Sequence, residues 1–420
     1  MRFLSILTLC FCLQFSSLKA SSLLIPMDHL QRNHLKSYGL VYWVLERDAP
    51  VDWLLNYRGG SFLCSYQQEV ENELIVRGIS YEVLSDAEVS VLTRQISSPA
   101  SNQDLMRLEQ RPKIAVYSPK TANPWDDAVM LALNYAEIPY ETIFDDEVLM
   151  GELPKYDWLH LHHEDFTGQY SKFYVAFHMY DWYQDKQREY EETARKHGFA
   201  KVTEMKAAVA GKIRDFIAGG GFMFAMCLAT DTYDIALAAR DIDIVSEIYD
   251  GDGVDPLADQ KLDYRQTLAF RDFEIITHPW KIEFSDIDVN LSEREVKPEN
   301  DYFQLFEFSA KWDPIPTMLT QNHERTIKGF LGATTAFRKS RIRTEVISMG
   351  ENREAGEARY IHGIFGKGFW TYYAGHDPED YQHNIGEPPT DLNLYPNSPG
   401  YRLILNNVLF PAAKKKKQKT

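Results

Sequence analysis

The chain has 420 residues, 61 of them acidic and 45 basic, for a formal charge of −16. That balance repels phosphate backbones, so nucleic acid is excluded as an expected partner. The length exceeds the roughly 100 to 200 residues of one ordinary domain, so one large or two ordinary domains with ample core are expected.

Met1-Arg2 is followed by an apolar run from Phe3 to Phe15 and by the polar stretch Ser16-Ser-Leu-Lys-Ala20. This reads as a signal peptide (1–20) with cleavage near Ala20 or Ser22, which predicts an exported, periplasmic or extracellular protein. The run is shorter than the roughly 20 residues that span a bilayer, and nothing comparable follows, so no transmembrane segment is expected. Beyond it lie only Cys64 and Cys227, too few for a disulfide framework, although the two could pair with each other.

Residues 23–108 read as an N-terminal β/α module. A strand is predicted at Leu23–Met27, a helix over 32–47, a strand over 51–55, a turn at Gly59-Gly60 and a helix over 67–77. A strand at 81–84 and a helix capped by Ser85 or Asp86 follow, and alternation of this kind predicts a parallel sheet covered by helices. Ser97 to Asn102 reads as a linker.

A second α/β series occupies 111–413. Strands are predicted at 114–117, 140–144, 157–161 and 222–226, with helices at 125–136, 181–197, 202–218 and 233–239. Residues 241–301 read as an acidic insertion. Further strands are predicted at 317–319, 329–331, 346–349 and 369–373, with a closing helix over 401–409. A lysine-rich tail (414–420) ends the chain as a solvated segment.

The most specific feature is the apolar strand that turns at Cys227 into a helix, with small residues, Ala225 and Ala229, two before and two after it. A nucleophile elbow requires that spacing, because the backbone doubles back tightly, and the helix N-terminus would favour a thiolate and supply oxyanion donors. A buried structural cysteine has the same local sequence. Gly375-His-Asp-Pro-Glu379 follows the strand 369–373, which puts His376 where a base would lie and Glu379 or Asp377 where an acid could orient it; a plain Asp-Pro turn is the alternative. The third cluster, His160-Leu-His-His-Glu-Asp165, ends another strand and contributes His160, His162, His163 and Glu164 as candidate substrate-binding residues, together with Asp377. Imidazole and carboxylate this close could bind zinc, but no second ligand group stands at a recognisable spacing. No metal and no cofactor is therefore assigned from sequence. The expected ligand is a small molecule, and oligomeric state is not legible.

The elbow and the Gly375 motif resemble class I glutamine amidotransferases, with their order of cysteine, histidine and acid; alanines replace both elbow glycines, and Asp377 is inserted after the histidine. The resemblance implies a doubly wound, mainly parallel, flavodoxin-like α/β fold with Cys227 as nucleophile, His376 as base and Glu379 as orienting acid. Gly368 to Pro378 and Arg402-Leu-Ile-Leu-Asn-Asn407 resemble the trehalose-utilisation-like branch, which implies a non-catalytic or carbohydrate-related binding protein with aromatics such as Trp125 and Trp370 lining a pocket. Ile25-Pro-Met-Asp28, Val51 to Gly60, Tyr156 to Asp165 and Pro396 to Tyr401 resemble exported proteins of the Bacteroidetes type labelled asparagine synthetase B. Arg2 stands where a glutamine-hydrolysing synthetase has its cysteine, and no Ser-Gly-Gly-x-Asp-Ser loop is present, so that likeness implies no ATP-dependent synthesis. An amidase-like hydrolase and a ligand-binding protein are the two expectations carried forward.

Overall fold

The computed structural model describes residues 20–119, 127–289 and 291–413. The predicted signal peptide up to Lys19, Trp125 and the lysine tail lie outside them.

The N-terminal segment builds one sheet from β1 (Ala20–Ile25), β2 (Val51–Leu55), β3 (Ser61–Ser65), β4 (Glu82–Ser85) and β5 (Asp104–Leu108), in the order β4-β1-β3-β2-β5. Each neighbouring pair is antiparallel, which corrects the parallel sheet expected from the sequence. The reason is the turn between β2 and β3, where Asn56, Arg58, Gly59 and Gly60 all take positive φ and reverse the chain within a few residues. A parallel pair needs a crossover of about a dozen residues or more. The Gly59-Gly60 turn is legible in the sequence, whereas β3 and β5, the latter beyond the expected linker at Ser97 to Asn102, are not.

The second sheet has ten strands: β6 (Ile114–Tyr117), β7 (Glu141–Ile143), β8 (Trp158–Leu161), β9 (Phe222–Met226), β10 (Tyr302–Leu305), β11 (Thr326–Lys328), β12 (Phe337–Arg338), β13 (Ile347–Asn352), β14 (Glu357–Phe365) and β15 (Gly368–Tyr373). Five of them, in the order β7-β6-β8-β9-β15, are parallel. From β15 outward, β14, β13, β10 and β11 continue the sheet antiparallel, and β12 pairs with β14. The architecture is therefore mixed α/β, with a parallel half and an antiparallel half. The predicted strand at Thr317–Leu319 is instead part of the helix Pro314–Leu319. Its run of buried residues is too short for periodicity to separate helix from strand, and Pro314 at the first turn favours the helix.

The helix His34–Leu45 fastens the two sheets together by packing on Ala128–Ala136 and Pro399–Leu409. Gly39 permits the approach, because a Cβ there would lie 1.7 Å from the Ala136 carbonyl oxygen. Buried Arg402 donates to the carbonyl oxygens of Met27 (2.8 Å) and Gly59 and to the Tyr38 hydroxyl (3.0 Å). Under the parallel half, Lys206 Nζ lies 2.8 Å from Asp145 Oδ2 and donates to the Tyr117 hydroxyl at 3.0 Å, with both charged side chains buried. The ring centroids of Tyr190 and Phe144 stand 4.1 and 4.6 Å from the ammonium. Removing one member of a buried pair strands the other charge, so Lys206→Ala is expected to cost about 3–5 kcal/mol in urea denaturation. The double change Lys206→Met with Asp145→Asn is expected to recover most of that loss.

Candidate functional site

In an open parallel sheet, ligands bind beyond the strand C-termini, where strand order reverses. Here that point is β6, which leads outward to β7 and then back across to β8. Asp127 follows β6 and caps the helix Ala128–Ala136, accepting the backbone N–H groups of Val129 (2.8 Å) and Met130 (2.9 Å). The same carboxylate faces β8. His160 Nε2 lies 3.2 Å from Asp127 Oδ2, and its Nδ1 lies 3.1 Å from the Phe224 carbonyl oxygen. His162, two residues on and therefore on the same side, places Nδ1 3.3 Å from Asp127 Oδ1. Burial acts to raise the Asp127 carboxyl, but the two imidazoles outweigh it and hold the group well below the ordinary carboxylate range.

His162 is 1% exposed, yet neither of its ring nitrogens makes a hydrogen bond of acceptable geometry. Its ring centroid is 4.5 Å from that of His376, which follows β15, and 5.0 Å from that of His163. One ring nitrogen from each of His162, His163 and His376 falls within 4.8 Å of the others. Burial and the neighbouring His162 push the His163 imidazole well below its ordinary value, so it is neutral. Behind this trio, His376 stacks on His383 at 4.9 Å, and His383 Nδ1 lies 3.0 Å from Asp380 Oδ2. Glu164 accepts from the Tyr190 hydroxyl at 2.5 Å through Oε2, and its Oε1 stands 4.0 Å from His163 Nε2.

Cys227 sits where the elbow pattern placed it, between β9 and the helix Ala229–Ala238, at a φ of 49° that only a constrained turn imposes on a non-glycine residue. The Ala229 N–H donates to the His162 carbonyl oxygen at 2.7 Å, so the elbow abuts the histidines. The thiol is buried, accepts the Ala333 N–H at 3.3 Å, and is pushed by burial to about 11. No hydrogen bond joins Cys227 Sγ to an imidazole among the described residues. Cys64 and Cys227 are both free, so the disulfide alternative is closed.

Four further expectations are corrected. Glu379 hydrogen-bonds to Ser398 and not to His376, and burial raises its carboxyl; the sequence triad Cys227, His376, Glu379 is not assembled. Asp377 is fully engaged by the Glu379 N–H and by the hydroxyls of Thr390 and Tyr401, each of these at 2.8–2.9 Å, so it braces the turn and does not face a ligand. His160 is enclosed between Asp127 and β9 and buttresses the site from behind. Trp370 is 1% exposed and packs in the core, not on a pocket wall. Sequence reasoning missed Asp127 and His383. The only signal for Asp127 was its place at the start of a predicted helix.

No protein-family model and no curated protein matches the chain. Among solved structures it is similar to the cytoplasmic protein STM3548 from Salmonella typhimurium (10% identity, TM-score 0.36) and the cytoplasmic protein STM1381 from Salmonella typhimurium LT2 (12%, 0.34), covering 72% of this chain and 100% of each of those. It is also similar to Gan42B, a GH42 β-galactosidase (12%, TM-score 0.28), over 64% of this chain and 28% of that one. At these values the likeness transfers no activity. Both Salmonella proteins are named cytoplasmic, against the expectation of export for this chain, and export takes no part in the functional reading.

A thiol at about 11 is almost wholly protonated near neutrality. Iodoacetamide is therefore expected to modify native Cys227 at well under a hundredth of the rate of an ordinary cysteine near pH 7, where about 3% of a thiol of pKa 8.5 is ionised. The rate should climb with pH through that value, as followed by peptide mass spectrometry.

Proposed function

We propose that the chain is a metal-dependent hydrolase whose centre is the trio His162, His163 and His376. One observation carries this reading: three imidazole nitrogens from two strand ends converge within 4.8 Å, and Nε2 of buried His162 has no hydrogen-bond partner among the described residues. Three imidazoles that leave a fourth position open form the ligand set of catalytic zinc sites. Bound there, a zinc-type ion would supply an acidified water and polarise a carbonyl. The protein's own part is positional. Asp127 faces His162 from behind at 3.3 Å, the side from which carboxylates support metal-ligating histidines, while Glu164, held by Tyr190, stands 4.0 Å from His163.

The parallel strand order β7-β6-β8-β9-β15 and the elbow at Cys227 support a flavodoxin-like, class I glutamine amidotransferase-like sheet as the scaffold. The positive φ at Cys227 also favours a second reading, an amidase in which the thiol attacks a carbonyl after local rearrangement brings His376 to it.

Isothermal titration of the purified chain with zinc, alongside cobalt absorption spectra, tests the first reading. One ion per chain is expected, with binding weakened at least about 100-fold in His162→Ala and His376→Ala, since loss of outer partners alone costs roughly 10- to 100-fold. Hydrolysis of a panel of amides and glycosides should be abolished by chelation and survive Cys227→Ser. Hydrolysis that resists chelation and is lost in Cys227→Ser would establish the thiol reading instead.

A further inference from the structure

At the edge of the main sheet opposite the histidines, a cavity of about 1040 Å³ opens at the strand N-termini, reached by Asp157 before β8, Gly221 and Phe222 at β9, and Phe369 at β15. Met106 of β5 and the helix Pro314–Leu319 close its far side, so both sheets contribute. The size is at the upper end of the roughly 300–1,000 Å³ of small-molecule pockets.

Its chemistry is sorted by depth. The four charged residues that line it, Asp157, Lys212, Asp215 and Asp313, are all solvent-exposed and so belong to the rim. The walls are hydrocarbon and aromatic, among them Met106, Phe222, Phe369 and Phe410. Trp312 (80% exposed) and Ile364 (64% exposed) extend the apolar surface to the mouth. Of the buried polar side chains in the lining, Tyr156 spends its hydroxyl on Glu141 at 2.8 Å, and the other is His362, 1% exposed. Its Nδ1 lies 2.9 Å from the Trp370 carbonyl oxygen, which fixes the proton there and leaves Nε2 as an acceptor. An ionised head group drawn inside would lose its hydration without a countercharge, whereas a hydroxyl could donate to Nε2.

We propose that this cavity is a second binding site, separate from the histidine centre, for an uncharged and mainly apolar small molecule that carries one hydrogen-bond donor. Two features define the fit: the His362 ring selects the donor, and the open space beside Gly219 admits the apolar body. Gly219 ends the helix Val202–Gly219 and lines the mouth, and a Cβ there would meet nothing within 4 Å, so a large side chain is accommodated without displacing the fold.

The test is fluorescence titration of the full chain with Nile red, followed by displacement with dodecanol, dodecanoate and dodecylamine. Saturable one-to-one binding is expected, with dodecanol displacing the dye about tenfold better than either ion. Gly219→Trp should weaken dye binding about tenfold while its circular dichroism matches that of the parent, and His362→Leu should erase the preference for the alcohol. Non-saturable binding, equal displacement by all three compounds, or full binding in Gly219→Trp would overturn the proposal. So would sedimentation showing a dimer whose formation excludes the dye, because the cavity would then be an interface between copies. If His362→Leu does not fold, the comparison of the three compounds and Gly219→Trp still decide the matter.

Discussion

The Asp127 carboxylate is the one group on which the site's geometry depends. It closes the N-terminus of the helix Ala128–Ala136 by accepting two backbone N–H groups through Oδ1, and the same carboxylate faces His160 through Oδ2 and His162 through Oδ1. A helix N-terminus favours a negative charge, and so do two imidazoles, so the position answers both demands with one side chain. Burial works against ionisation, and the pairing overcomes it. The consequence is rigidity: the helix after β6 cannot shift without carrying the β8 histidines along.

That coupling explains why the cluster forms at the switch point of the strand order. β6 and β8 are parallel neighbours, with Val116 opposite His160, and Asp127, which starts the helix after β6, stands against His160 and His162 at the end of β8. β9 lies next, with His160 opposite Phe224, and β15 follows, with Tyr373 opposite Met226. Four strand ends thus deliver Asp127, the His160 to Glu164 run, Cys227 and His376 to one edge. The antiparallel half contributes by a different route: the loop after β11 reaches over Cys227 through Ala333 and over Asp231 through Thr334, whose hydroxyl donates to the Asp231 carboxylate at 2.8 Å.

How much of this was legible in the sequence depends on distance along the chain. Local signals are legible: the helix cap at Ser85, one of the two residues the sequence offered, the β9 strand, the turn at Cys227 and the strand before His376 all stand where residue patterns put them. The direction of the first sheet was not, because a hairpin turn and a crossover can share the same alternation of apolar runs, and β3 and β5 were passed over. In the sequence, the His160 to Asp165 cluster has no second ligand group at a recognisable spacing. That group, His376, lies more than two hundred residues from His162, and only the parallel register of β8, β9 and β15 brings the two together. No spacing rule within one chain segment can reveal a partner supplied by sheet order. The triad failed for a related reason: Glu379 is near His376 in sequence, but the turn aims its carboxyl at Ser398.

The choice between the two chemistries at this edge follows from a single physical term acting with opposite consequences. Desolvation disfavours whichever form is charged. For Cys227 the charged form is the nucleophile, and enclosure therefore suppresses the reaction that the elbow would otherwise serve, even with the Ala333 N–H directed at the sulfur. For an imidazole the neutral form is the ligand, so the same enclosure leaves it ready to coordinate. A pocket that keeps a thiol protonated and the His163 imidazole uncharged is poorly built for thiolate attack and well built for a cation, whose own charge then supplies the polarity that the surrounding hydrocarbon lacks. The strained turn at Cys227 keeps a role under this view: it fixes the position of Ala229, whose N–H holds the carbonyl of His162 and so the backbone from which that ring projects.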